Sequence, residues 1–148
     1  MPISVRKPPS FPAVAAPLRA IVADTLALEG LRAGDVTVVL TDDTALRDLN
    51  RRWRGIDRAT DVLSFGDDRR GDRVNGDLVV SFDRVSAQAR RYRTSAGREL
   101  ARLVVHGTLH LAGHDHHRAA ERATMRRCER TALRASAAAI RSLERAVR

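Results

Sequence analysis

The eleven residues His106-Gly107-Thr108-Leu109-His110-Leu111-Ala112-Gly113-His114-Asp115-His116 constrain this chain more than any other stretch. They follow Leu100, Leu103, Val104 and Val105, an apolar pattern that predicts a buried helix from about Ser95 to Ala112. Residues four apart share a helix face, so His106 and His110 can offer two imidazole nitrogens to one ion. Gly113 permits the left-handed residue that ends a helix, and the returning chain is expected to bring in His116 as a third ligand. Three neutral nitrogens with an open fourth position make a catalytic zinc site, whereas structural zinc closes all four positions, usually with cysteine. Cys128 is the one cysteine of the chain, which excludes a closed thiolate site. The expectation is one Zn2+ per chain on His106, His110 and His116.

The spacing H-x-x-x-H-x-x-G-x-x-H is also that of the metzincin proteases, and position 107 separates this chain from them. There the residue after the first histidine is the glutamate that deprotonates the zinc-held water. Here it is Gly107, which has no side chain for that task. The substrate must therefore need a metal-polarised oxygen or a metal-bound hydroxide without that carboxylate.

The same eleven residues resemble the H-G-x-L-H-L-x-G-Y-D-H signature of the YbeY family of bacterial metal-dependent endoribonucleases. Two other segments agree and occur in family order. The first is Leu49-Asn50 with Trp53-Arg54-Gly55, leading to Thr60-Asp61-Val62-Leu63-Ser64-Phe65; the second is Gly76-Asp77-Leu78-Val79-Val80-Ser81. The likeness runs from about Asp35 to Met125, with His114 where the family usually has Tyr and Ala59 where it usually has Pro. It implies a zinc-dependent, single-strand-specific endoribonuclease of 16S ribosomal RNA 3′-end maturation and ribosome quality control. Its expected partners are single-stranded or ribosomal RNA and components of the small ribosomal subunit. The likeness also implies that Arg54 is needed for activity, and a guanidinium beside the metal could hold the scissile phosphate. His114, Asp115 and His117 are candidates for a general base, while Asp115 or Asp61 could equally orient a ligand histidine. Two other readings stay open: a non-catalytic, metal-stabilised ribosome-assembly factor that binds RNA, and a small-molecule or peptide metallohydrolase.

Charge bears on that choice. With 27 Lys and Arg against 18 Asp and Glu the net charge is +9, carried mostly by Arg, whose guanidinium matches phosphate bidentately. A peptide substrate is disfavoured and RNA is the natural partner. Aromatic residues are few, so phosphate contacts should outweigh base stacking. No run of 18 apolar residues predicts a membrane span, and a lone cysteine without a leader pattern suits the cytoplasm. Oligomeric state is not encoded in any motif found.

The 148 residues match one domain, with about 135–148 a possible helical extension. Ile3 to Val5 reads as a short strand. Leu18, Ile21, Val22 and Leu26 give a helix after Pro17, and Val36 to Leu40 a buried strand. Thr41-Asp42-Asp43 should cap a helix through Asn50. Thr60 to Phe65 and Asp77 to Ser81 read as neighbouring inner strands, separated by a charged loop at Asp67 to Arg73. Asp83 is expected to cap a helix reaching Tyr92, and the chain after His117 to be helical to its end, with Ala119, Ala123, Cys128 and Leu133 inward. The fold class expected is α+β, about four strands in a mixed sheet packed with helices, one of them a zincin-like metal helix.

Overall fold

The structure, a computed structural model, describes residues 2–55, 60–66, 71–115 and 117–148. In chain order the elements are β1 (Ile3–Arg6), α1 (Ala15–Leu28), β2 (Arg32–Thr41), α2 (Asp43–Arg54), β3 (Val62–Phe65), β4 (Arg73–Ser81), α3 (Phe82–Arg91), α4 (Ala96–Leu111), α5 (Ala119–Ala135) and α6 (Ala137–Ala146). The sheet runs β1-β2-β4-β3, parallel except for β3, which pairs antiparallel with β4. This is the mixed α+β arrangement expected.

Alternation along the strands sorts the two faces. Val36, Val38 and Leu40 of β2, with Leu78 and Val80 of β4, point into the main core beside Leu18, Ile21 and Leu26 of α1 and Leu100, Val104 and Leu109 of α4. Val79 and Leu63 face the other way and meet Leu46 of α2 in a smaller cluster. Asp42 caps α2 as expected, its Oδ1 accepting from the Ala45 N–H at 2.8 Å.

Ten of the sixteen residues of α4 are buried, so this helix is enclosed rather than amphipathic. Two glycines let it come close to its neighbours. A Cβ on Gly107 would stand 2.9 Å from Leu78 Cδ2, 3.2 Å from Val62 Cγ2 and 3.3 Å from Ser64 Oγ. Ser64 Oγ–H donates to the Gly107 carbonyl at 3.1 Å. A Cβ on Gly97 would lie 2.5 Å from the Glu144 backbone nitrogen and 2.6 Å from the Leu143 carbonyl carbon. Hence α6 sits backbone-to-backbone on α4 and buries Ile140 and Leu143 there.

Several local expectations need correction. The cap of α3 is Ser81, whose Oγ accepts from the Arg84 N–H at 3.2 Å, while the Asp83 carboxylate instead accepts from the Asp43 N–H at 2.9 Å. The C-terminal helix breaks at Ser136, which allows α6 to turn back onto α4. Along α5 the buried positions are Met125 and Ala132; Cys128 and Leu133 are half-buried and Ala119 is exposed. Strand β4 begins at Arg73 directly after a turn at Gly71 and Asp72, while positions 67–70 of the expected loop, together with Ala59, lie outside the described residues. Among the described residues no helix is long and apolar enough to cross a membrane.

Substituting Gly97→Ala should cost about 1–3 kcal/mol, because the clash is with α6 backbone and overpacking outweighs the helix propensity gained. Urea unfolding measures it; unchanged stability would show that α6 is not seated on α4.

Candidate metal centre and cleft

One turn of α4 separates His106 from His110, and their Nε2 atoms lie 3.2 Å apart with ring centroids at 4.7 Å. Each Nδ1 faces an oxygen. His106 Nδ1 is 2.6 Å from Glu129 Oε1 on α5, and His110 Nδ1 is 3.0 Å from the His114 carbonyl. A carbonyl and a carboxylate only accept, so each Nδ1 carries a hydrogen, and a neutral ring then presents a lone pair at Nε2. Two lone pairs facing each other repel unless a cation lies between them. Bonds of about 2.0–2.1 Å at a tetrahedral angle would place two imidazole nitrogens roughly 3.3 Å apart, so the pair fits one zinc-sized ion. Carboxylate and carbonyl partners on the far nitrogen are the usual means of fixing a ligand histidine's tautomer and raising its basicity.

The turn after α4 completes this arrangement. Gly113, with φ of 102°, donates its N–H to the His110 carbonyl at 3.0 Å, and His114 N–H reaches the Leu109 carbonyl at 3.0 Å. This double closure is the left-handed helix ending expected at Gly113, and it turns the His114 carbonyl towards His110. The expected third ligand, His116, lies outside the described residues.

The pair stands in a cleft of about 520 Å³. His106 and His110 line it from α4, Asp61 and Ser64 from the β3 segment, and Asp115, His117 and Arg54 border it as well. Arg54 is brought there as the last residue of α2, which ends on Gly55 at φ of 69°. The neighbouring Trp53 is 71% exposed and stands edge-on to Phe65 at 6.4 Å. His117 Nε2 lies 3.2 Å from Asp115 Oδ1. The Asp61 carboxylate is committed, accepting from the Val62 N–H at 2.8 Å and from Gln88 Nε2 at 3.3 Å. His114 also borders the cleft, but its Nε2 is hydrogen-bonded to Glu29 Oε1 at the end of α1. Behind it Cys128 is half-buried; burial, then the Glu29 charge, push its thiol up and keep it protonated at neutral pH.

Of the sequence-selected residues, His106, His110, Arg54, Asp61, His114, Asp115 and His117 therefore share one cleft. Sequence reasoning does not reach Glu129 and Glu29. They meet their histidines from 23 and 85 residues away, and no local spacing links a carboxylate on another helix to an imidazole. The one usable signal is an acid among the arginines of α5 beside the lone cysteine.

A family model described as Endoribonuclease YbeY matches residues 12–137. The Endoribonuclease YbeY of Roseiflexus sp. (strain RS-1) is 48% identical over 111 residues, covering 68% of this chain and 69% of that protein. The one from Carboxydothermus hydrogenoformans is 47% identical over 113 residues, covering 75% and 78%. The solution structure of TM1509 from Thermotoga maritima superposes with a TM-score of 0.65 at 26% identity, over 95% of this chain and 92% of that one. With the family match spanning α1 to the end of α5, and relatives close to half identical over most of their length, the chain belongs to the Endoribonuclease YbeY family.

Proposed function

We propose that this cleft cleaves phosphodiester bonds of single-stranded RNA, with one zinc ion held by His106, His110 and His116. We place the reaction in 16S ribosomal RNA 3′-end maturation and ribosome quality control, in the cytoplasm and in contact with the small ribosomal subunit. The observation that carries the reading is the facing pair of Nε2 lone pairs 3.2 Å apart, each fixed by an oxygen behind it. Relatives named as endoribonucleases support the substrate class.

A bound zinc ion supplies Lewis acidity to the scissile phosphate. The chain's residues do the rest. Arg54 offers a planar, permanently charged donor set to the phosphoryl oxygens and neutralises charge that grows there in the transition state. Glu129 and the His114 carbonyl hold the two imidazoles in the tautomer that leaves Nε2 bare. His117, paired with Asp115, can accept a proton at the cleft mouth. The His114 imidazole is engaged by Glu29, so its contribution is to anchor the turn. Gly107 supplies no protease-type carboxylate, and a side chain there would crowd Leu78, Val62 and Ser64, which disfavours peptide hydrolysis.

A second feature favours a polyanion. Arg98, Arg130, Arg134 and Arg141 border a groove of about 430 Å³ between α4, α5 and α6, floored by Leu133 and Ile140. Glu144, the carboxylate that also lines this groove, accepts from Ser95 Oγ, and among the described residues none of the four arginines is ion-paired, so the groove is positive in balance.

Three outcomes are expected. His110→Ala should lose the metal and cleave no single-stranded RNA carrying the 16S precursor tail, and a chelator should reproduce this in wild type. Equal cleavage by both proteins would move the reading to an RNA-binding assembly factor. Arg54→Glu should retain the metal and abolish turnover; unchanged turnover would remove Arg54 from the chemistry. Glu129→Gln should weaken metal binding roughly 10–100-fold in competition with a chromogenic chelator.

RNA affinity should fall steeply with salt, and joint reversal of Arg130, Arg134 and Arg141 to Glu should flatten that dependence by about 0.7 in slope for each phosphate no longer neutralised. An unaltered slope would place the RNA elsewhere on the surface.

A further inference from the structure

We propose that Glu29, His114 and Cys128 form a second metal site, separate from the histidine pair, that takes a borderline divalent ion such as Zn2+ or Co2+. The three ligand atoms, a carboxylate oxygen, an imidazole nitrogen and a thiol sulfur, all lie within 4.8 Å of one another, and all three residues are half-buried. They come from three elements: the end of α1, the turn after α4 and the middle of α5. Packing of apolar surface gives no reason to gather these three donor types in one place.

The charge balance points the same way. Among the described residues Glu29 has no Lys or Arg partner, although the chain carries 27 of them. A half-buried carboxylate in so basic a protein would ordinarily recruit a guanidinium. This one is turned instead to His114 and Cys128. One oxygen, one nitrogen and one sulfur suit zinc and cobalt, whereas calcium and magnesium prefer oxygen alone. On binding, the Cys128 S–H bond breaks, its proton leaves to water and a sulfur–metal bond forms. The Nε2–H of His114 that faces Glu29 breaks as the nitrogen–metal bond forms, its proton leaves to water, and the ring takes a proton on Nδ1, so that it coordinates through Nε2 as the neutral imidazole. Partial exposure leaves the fourth position to water.

The site would be coupled to the cleft. The backbone of His114 fixes His110, and Cys128 adjoins Glu129, which fixes His106. An ion there ties together the two segments that orient both cleft histidines.

Titration of the full-length, chelator-treated chain with Co2+ tests this. Wild type should bind two ions and develop a near-ultraviolet thiolate-to-cobalt charge-transfer band. Cys128→Ser should lose the band and one equivalent; His110→Ala should lose the other equivalent and keep the band. Glu29→Gln should keep the band but bind at least the roughly 10–100-fold more weakly typical of losing an outer partner. A wild-type spectrum without the band at saturating Co2+ overturns the second site, and that reading needs no variant to fold. One ion bound with the band present, and undiminished in His110→Ala, supports the second site and removes the histidine pair instead.

Discussion

The contact on which this architecture depends is the laying of α4 onto the β3–β4 hairpin at Gly107. A helix backbone can come this near a sheet only where it carries no Cβ, and Leu78, Val62 and Ser64 occupy the space a side chain would need. The Ser64 hydroxyl then ties the Gly107 carbonyl to β3. Because the preceding residue is His106 and the next turn brings His110, the depth to which the helix sinks sets where both imidazoles meet the cleft. Packing and chemistry are joined at one position: the glycine that seats the helix is also the reason no carboxylate follows the first histidine.

The rest of the site is held from a distance. Each cleft histidine has one nitrogen for the cleft and one for the scaffold, and the scaffold partners come from α5 and from the turn after α4. In turn that turn is moored to α1 through His114 and Glu29. The Arg54 guanidinium arrives from the opposite face of the sheet, carried by α2, whose Leu46 packs on Leu63 and Val79. A cleft assembled from so many segments gains its geometry from the core rather than from any single loop, which is how a reactive constellation is kept within tight tolerances.

What is legible in the residues alone, and what is not, follows from the range of the interactions. The histidine spacing, the Gly113 ending and the Asp42 cap are local, decided within one or two turns, and can be read directly. The neighbouring of β3 and β4 can be read too, since a short charged connection separates two apolar runs. That β4 lies between β2 and β3 cannot, because an apolar strand does not state which partner it will have. The inward side of α5 escapes for a related reason. Its alanines are spread around the helix among arginines, so no apolar stripe marks the phase, and Met125 with Ala132 emerge as the buried positions only once α4 is in place. Glu29 and Glu129 are invisible because their roles exist only after folding has brought distant helices together.

The dispersal of the site along the chain has a consequence for the order of events at birth. His106 and His110 lie on a helix whose seat on the sheet forms only once β2, β4 and β3 have paired, and β2 pairs with β4 across some forty residues of chain, as Asp35 and Asn75 illustrate. Such non-local pairing is slow compared with helix formation. Even then His106 waits for Glu129, which leaves the ribosome after it. A nascent chain therefore cannot complete the His106–Glu129 contact until α5 has been made. The last part of the cleft to be assembled is then its scaffold, because α5 must close over α4 before both histidines are held from behind.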